Sequence, residues 1–175
     1  MRYRSTLLTA ALLTAGLTGV GARASYQITV QTLSEQLTAT KQLTSTLANQ
    51  QTAMRTAMTA VWNELDKAKV DPTGYPFGRI LKVDPHAIAM EVGFPVGVVI
   101  TAANGVEPSK LPAGTVAMTD YTGPYEKIGD AHQAIQKWIQ DNGKTENGAP
   151  WEVYYSDPSD TAPDQLKFQV FYPIR

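Results

Sequence analysis

The sequence predicts an α+β domain: one antiparallel sheet of about eight strands, with two helices on one face and a ligand groove on the other. Three observations predict it. The chain repeats one unit. Each copy carries one amphipathic helical stripe. The remaining β-prone runs are short and bounded by Gly and Pro turns.

The repeat comes first, because it sets the frame for everything else. Gly74-Tyr75-Pro76-Phe77 lines up with Gly148-Ala149-Pro150-Trp151. Both lead into β-prone runs, Arg79–Val83 and Val153–Tyr155, that end in Asp-Pro at Asp84-Pro85 and Asp157-Pro158. The run Ile88–Val96 parallels Leu166–Ile174. Val61 and Leu65 precede Pro76 as Ile135 and Ile139 precede Pro150. The unit reads strand, helix, strand, strand. The first copy spans about residues 26–100 and the second about 106–175 of a single domain, 25–175.

In the first copy, Leu47, Met54, Met58, Val61 and Leu65 predict a helix over about 45–69. The preceding strand, around Gln36–Leu43, is weakly patterned. Leu33 and Leu37 extend the stripe upstream, so one unbroken helix over 33–69 competes with it. The repeat favours the strand. In the second copy, Thr115–Tyr121 alternates as a strand. Gly123-Pro124 opens a helix, Tyr125, Ile128, Ile135 and Ile139 form its stripe, and Asn142-Gly143 ends it. His132 on that helix reads as a structural or surface residue.

Residues 1–24 read as an export signal. Arg2 and Arg4 precede an uncharged stretch from Ser5 to Ala22, and Ala22-Arg23-Ala24 fits a cleavage site. The expected location is periplasmic or secreted. A retained anchor over residues 5–22 is the alternative, and the only route to membrane contact.

Composition narrows the chemistry. The chain has 175 residues, no cysteine and two histidines, which excludes disulfides, thiolate-held metals and a Cys nucleophile. The expectation is no cofactor and no metal. With 15 basic and 16 acidic residues, no basic surface suggests a nucleic-acid partner. Removing residues 1–24 takes Arg2, Arg4 and Arg23 away and leaves 12 basic against 16 acidic residues. Gly-x-Ser-x-Gly, HExxH and P-loop motifs are missing. Oligomeric state stays open.

Leu111-Pro112-Ala113-Gly114-Thr115-Val116-Ala117, Tyr121-Thr122-Gly123-Pro124-Tyr125, Trp138-Ile139, Trp151-Glu152-Val153-Tyr154-Tyr155 and Tyr172-Pro173-Ile174 together resemble the GyrI-like small-molecule-binding family. That family includes the effector-binding domains of AraC-type regulators and of BmrR. The resemblance implies two strand–helix–strand–strand units with a pocket between them for amphipathic, often cationic, molecules. It places the family's pocket acid on Glu152.

Strand alternation sets Glu152 and Tyr154 on one face and Trp151, Val153 and Tyr155 on the other. The second set is assigned to the helix-covered core, and Glu152 to the uncovered face. Arg79 then falls awkwardly on the core face. Glu91 is a second candidate acid, with a surface salt bridge as its alternative role. Tyr121, Phe94, Tyr172, Trp151 and Trp62 are candidate pocket walls, with core packing the alternative. The leading expectation is a non-catalytic binder of aromatic or cationic amphipathic molecules. The alternatives are a hydrolase of electrophilic compounds using Glu152 with Tyr154 or Tyr121, and a protein-interaction module.

Overall fold

The computed structural model describes residues 26–175. The export-signal reading therefore lies outside the described residues. Eight strands form one antiparallel sheet: β1 (Thr29–Leu33), β2 (Gln36–Ser45), β3 (Phe77–Asp84), β4 (Ala87–Pro95), β5 (Glu107–Leu111), β6 (Gly114–Thr122), β7 (Trp151–Tyr154) and β8 (Lys167–Pro173). Two helices, α1 (Gln50–Ala68) and α2 (Gly129–Asp141), complete the α+β fold.

The weak strand at 36–43 is real, and the continuous helix is not. α1 starts at Gln50 after one 3-10 turn over Leu47–Asn49. Leu47 is exposed, so the buried stripe is Met54, Ala57, Val61 and Leu65. Lys69 closes the helix in the left-handed conformation, φ 55°. Before α2, Tyr125–Lys127 form a separate 3-10 turn. Ala131, Ile135 and Ile139 are the buried stripe of α2, and Gly143 follows it with φ 62°.

Strand order is β1-β6-β8-β7-β3-β4-β2-β5. A pseudo-two-fold axis between β7 and β3 relates the halves. Each half takes its edge strand from the other copy: β1 pairs with β6, and β5 with β2. These pairings force curvature. In a flat sheet, strands about 4.8 Å apart would hold β1 about 29 Å from β2. Only Ser34 and Glu35 connect them, and such a link reaches about 10 Å. The same applies to Pro112-Ala113 between β5 and β6. The sheet therefore curls into a half-barrel.

Curling buries both faces. The helix-free face closes around Phe77, Leu111, Val116, Met118, Trp151 and Phe171. Trp151 stacks on Phe171 with ring centroids 5.3 Å apart and planes 8° from parallel. On the other face, α1 packs Met54 and Ala57 on Ile88, Met90 and Val92. There α2 packs Ile135 and Ile139 on Ala117, Val170 and Ile174. The row Val92, Gly78, Glu152, Val170 crosses that helix-covered face. The face assignment read from alternation is thus reversed: Glu152 lies under the helices and Trp151 inside the half-barrel. The register is regular at Gly78 and Arg79 and shifts further along β3, at a bulge between Ile80 and Lys82. Arg79 shares the Trp151 face, where it pairs with Glu91 and donates to the Lys110 carbonyl at 3.0 Å.

Candidate functional site

Glu152 sits near the middle of the sheet, on β7, with 2% of its surface exposed. A carboxylate this deep needs donors on every lone pair it presents. Tyr154, two residues on and on the same face, donates its hydroxyl to Oε2 at 2.7 Å. Tyr125, in the turn before α2, donates to the same oxygen at 3.1 Å. Gln50, at the start of α1, donates to the Tyr125 hydroxyl at 3.0 Å. The opposite oxygen, Oε1, meets Nε2 of His132 at 2.9 Å. The Nδ1 of His132 lies 2.9 Å from the Tyr172 hydroxyl. With Glu152 ionised, Nε2 carries a proton and donates. In the neutral ring, Nδ1 then accepts from Tyr172.

Both helices and both central strands of the second half thus converge on one acid. Among the described residues, its ionisable partner is the His132 imidazole, and no lysine or arginine pairs with it. Burial first, and then the charge of Glu152, push the phenols of Tyr125 and Tyr154 well above the ordinary tyrosine range. Burial also raises Tyr172, with Glu146 and Glu152 adding to it. The phenols therefore stay neutral and act as donors. Phe168 completes an aromatic wall, its ring centroid 5.9 Å from that of Tyr125 and 6.0 Å from that of Tyr154.

A recess of about 360 Å³ opens beside this cluster, between α2 and β3. Ile80, Leu81, Val83 and Pro150 give it apolar walls, and His132 and Tyr172 line it too. A larger recess of about 430 Å³ lies at the β1–β6 edge, beside Tyr26, Asp120 and Tyr121. None of the groups bonded to Glu152 or to its imidazole lines it, whereas His132 and Tyr172 line the smaller one, so the chemistry favours the smaller one.

Residues 26–175 match the model of the GyrI-like small molecule binding domain. The chain belongs to the GyrI-like family. Among solved structures, its fold is similar to the EcmrR C-terminal domain, with a TM-score of 0.76 at 17% identity over 86% of this chain and 98% of that one. It is also similar to a hydrolase from Listeria innocua, with a TM-score of 0.62 at 11% identity over 85% and 92% of the two chains. A third similar structure is SAV2435 bound to tetraphenylphosphonium, with a TM-score of 0.56 at 13% identity over 86% and 94%. No curated protein matches the chain. These identities support a shared fold.

In this GyrI-like domain, three of the sequence-predicted residues come together: Glu152, Tyr154 and Tyr172. The others do not join them. Glu91, 3% exposed, pairs with Arg79 on the opposite face, so it is a buried ion pair and not a surface one. Trp151 shares that face. Tyr121 packs on Phe168 and Tyr26 and donates to the Pro124 carbonyl at 2.7 Å. Phe94 meets Trp62 edge-on at 5.7 Å beside α1, and Trp62 is 53% exposed.

Sequence reading missed His132, Tyr125 as a donor, and Gln50. A signal for His132 was present: Tyr125, Ile128, His132, Ile135 and Ile139 recur at helical spacing. The one polar member of a buried stripe needs a buried polar partner.

Proposed function

We propose that this domain binds hydrophobic, aromatic cations, with Glu152 as their counter-charge. One observation carries the reading: a buried carboxylate held by neutral phenols and an imidazole, with no permanent cation beside it. A ligand cation supplies the missing charge, and the rings of Tyr125, Tyr154 and Phe168 offer it π faces, each worth roughly 0.5–2 kcal/mol. Protonated phenols suit hydrogen bonding to a carboxylate better than nucleophilic attack, which favours binding over hydrolysis. The similar fold of SAV2435, bound to tetraphenylphosphonium, supports this ligand class. Export directed by residues 1–24 would place the binding outside the cytoplasm.

The test is a titration of the full chain with tetraphenylphosphonium, read by calorimetry. Glu152→Gln should weaken binding about 30-fold, the size of losing one buried charge partner. Equal binding by the variant removes the acid from the mechanism.

A further inference from the structure

We propose that His132 is a built-in competitor for Glu152, so that uptake of a cation is coupled to the protonation of one imidazole. The inference rests on the binding role of Glu152 and adds its regulation. His132 lines the recess between α2 and β3, whereas Glu152 does not. Its Nε2 covers Oε1 of Glu152 at 2.9 Å. A cation arriving through the recess must therefore displace the imidazole to reach that oxygen.

The surroundings satisfy both protonation states of the ring. In the neutral ring, Nδ1 accepts from the Tyr172 hydroxyl. In the imidazolium, Nδ1–H donates to the same oxygen. Protonation costs no hydrogen bond and turns the contact with Glu152 into a full ion pair. Glu152 from β7 bonds the ring, and Lys82 from β3 and Glu146 from the loop before β7 are the charged groups that line the same recess. The phenols facing the site are Tyr172 from β8, Tyr154 from β7 and Tyr125 from the turn before α2. Glu152 alone of the carboxylates bonds the imidazole, so a proton gained by the ring acts on that acid. Acid closes the site with an internal cation; neutral or alkaline solution leaves Glu152 to an external one.

The experiment measures the dissociation constant of tetraphenylphosphonium for the full chain at about pH 8 and about pH 5.5, across the range where imidazoles titrate. The wild type should lose about tenfold in affinity on going to the acid side. His132→Gln keeps a neutral donor in place of Nε2 and should bind equally at both values. If His132→Gln keeps the wild-type loss, protonation elsewhere causes it and the competitor role is wrong. A flat wild-type profile also overturns that role, while Glu152 stands if Glu152→Gln still weakens binding. Absence of binding by the wild type sinks the role together with the reading beneath it. Should His132→Gln fail to fold, calorimetry of the wild type near pH 6 in two buffers of different ionisation enthalpy replaces it. Proton release on binding is expected there, and its absence overturns the coupling.

Discussion

In the second half of the sheet, Tyr172, His132, Glu152 and Tyr154 form a continuous polar chain. In the first half, the equivalent positions hold Phe94, Met58, Gly78 and Ile80. The frame is local: Met58 stands before Pro76 as His132 stands before Pro150, and Phe94 precedes Pro95 as Tyr172 precedes Pro173. Every polar member has an apolar counterpart, and the acid has a glycine. Duplication supplied two similar slots, but only one is charged. The pairing register explains why, since Gly78 lies directly opposite Glu152. A second acid there would face the first at cross-strand distance. The glycine also makes room: a Cβ at position 78 would overlap the Tyr154 hydroxyl and touch Met90.

The hardest way to break this asymmetry is Gly78→Glu. Two buried carboxylates would then share one site with a single imidazole. The expected loss is about 3–5 kcal/mol near pH 7, the scale of an uncompensated buried charge. It should shrink below about pH 5, as one acid takes a proton. Urea midpoints at both values measure it; an unchanged midpoint means the halves are free to match.

Gly78→Ala sharpens the same point at smaller scale. Overpacking of this kind costs about 1–3 kcal/mol. It should also push the Tyr154 hydroxyl off Glu152, so tetraphenylphosphonium affinity falls along with stability. Ile80→Ala, at the position matching Tyr154, should lower stability and leave Glu152's bonds intact.

The smallest effect is at high pH. Tyr125 and Tyr154 have folded values above their ordinary ones, because burial and the Glu152 charge disfavour phenolate. A raised value stabilises the fold fully below the ordinary tyrosine value of about 10, and that contribution is lost as pH rises through the folded values. Stability should therefore be flat up to about pH 10 and then fall. Tyrosinate absorbance from these two rings should appear together with the loss of circular dichroism. If it appears in the folded protein, the cluster is wetter than described.

The repeat made most of the fold legible. Proline turns and matched apolar runs located β3, β4, β7 and β8, alternation located β6, the repeat argued for the weak β2, and helical stripes located α1 and α2. The edge strands β1 and β5 were harder, since their partners lie in the other half and each is mostly exposed. The site was legible in part. Alternation correctly separated Glu152 from Trp151, but it cannot say which face the helices cover when curling buries both. His132 was missed because its partners, Glu152 and Tyr172, are distant in sequence. The helical stripe marks His132 as facing inward, but nothing local names the partners whose bonds close only when the sheet assembles.

The exchange of β1 and β5 has a further consequence. Each copy of the unit completes its neighbour's sheet, so neither owns a finished edge. The arrangement is that of a strand-swapped dimer written into one polypeptide. The covalent link holds the two pseudo-protomers at an effective concentration that dilution does not lower. A symmetric pair must use identical residues at both slots. Fusion frees the two slots to diverge, and an acid at position 152 facing a glycine at position 78 is the use made of that freedom.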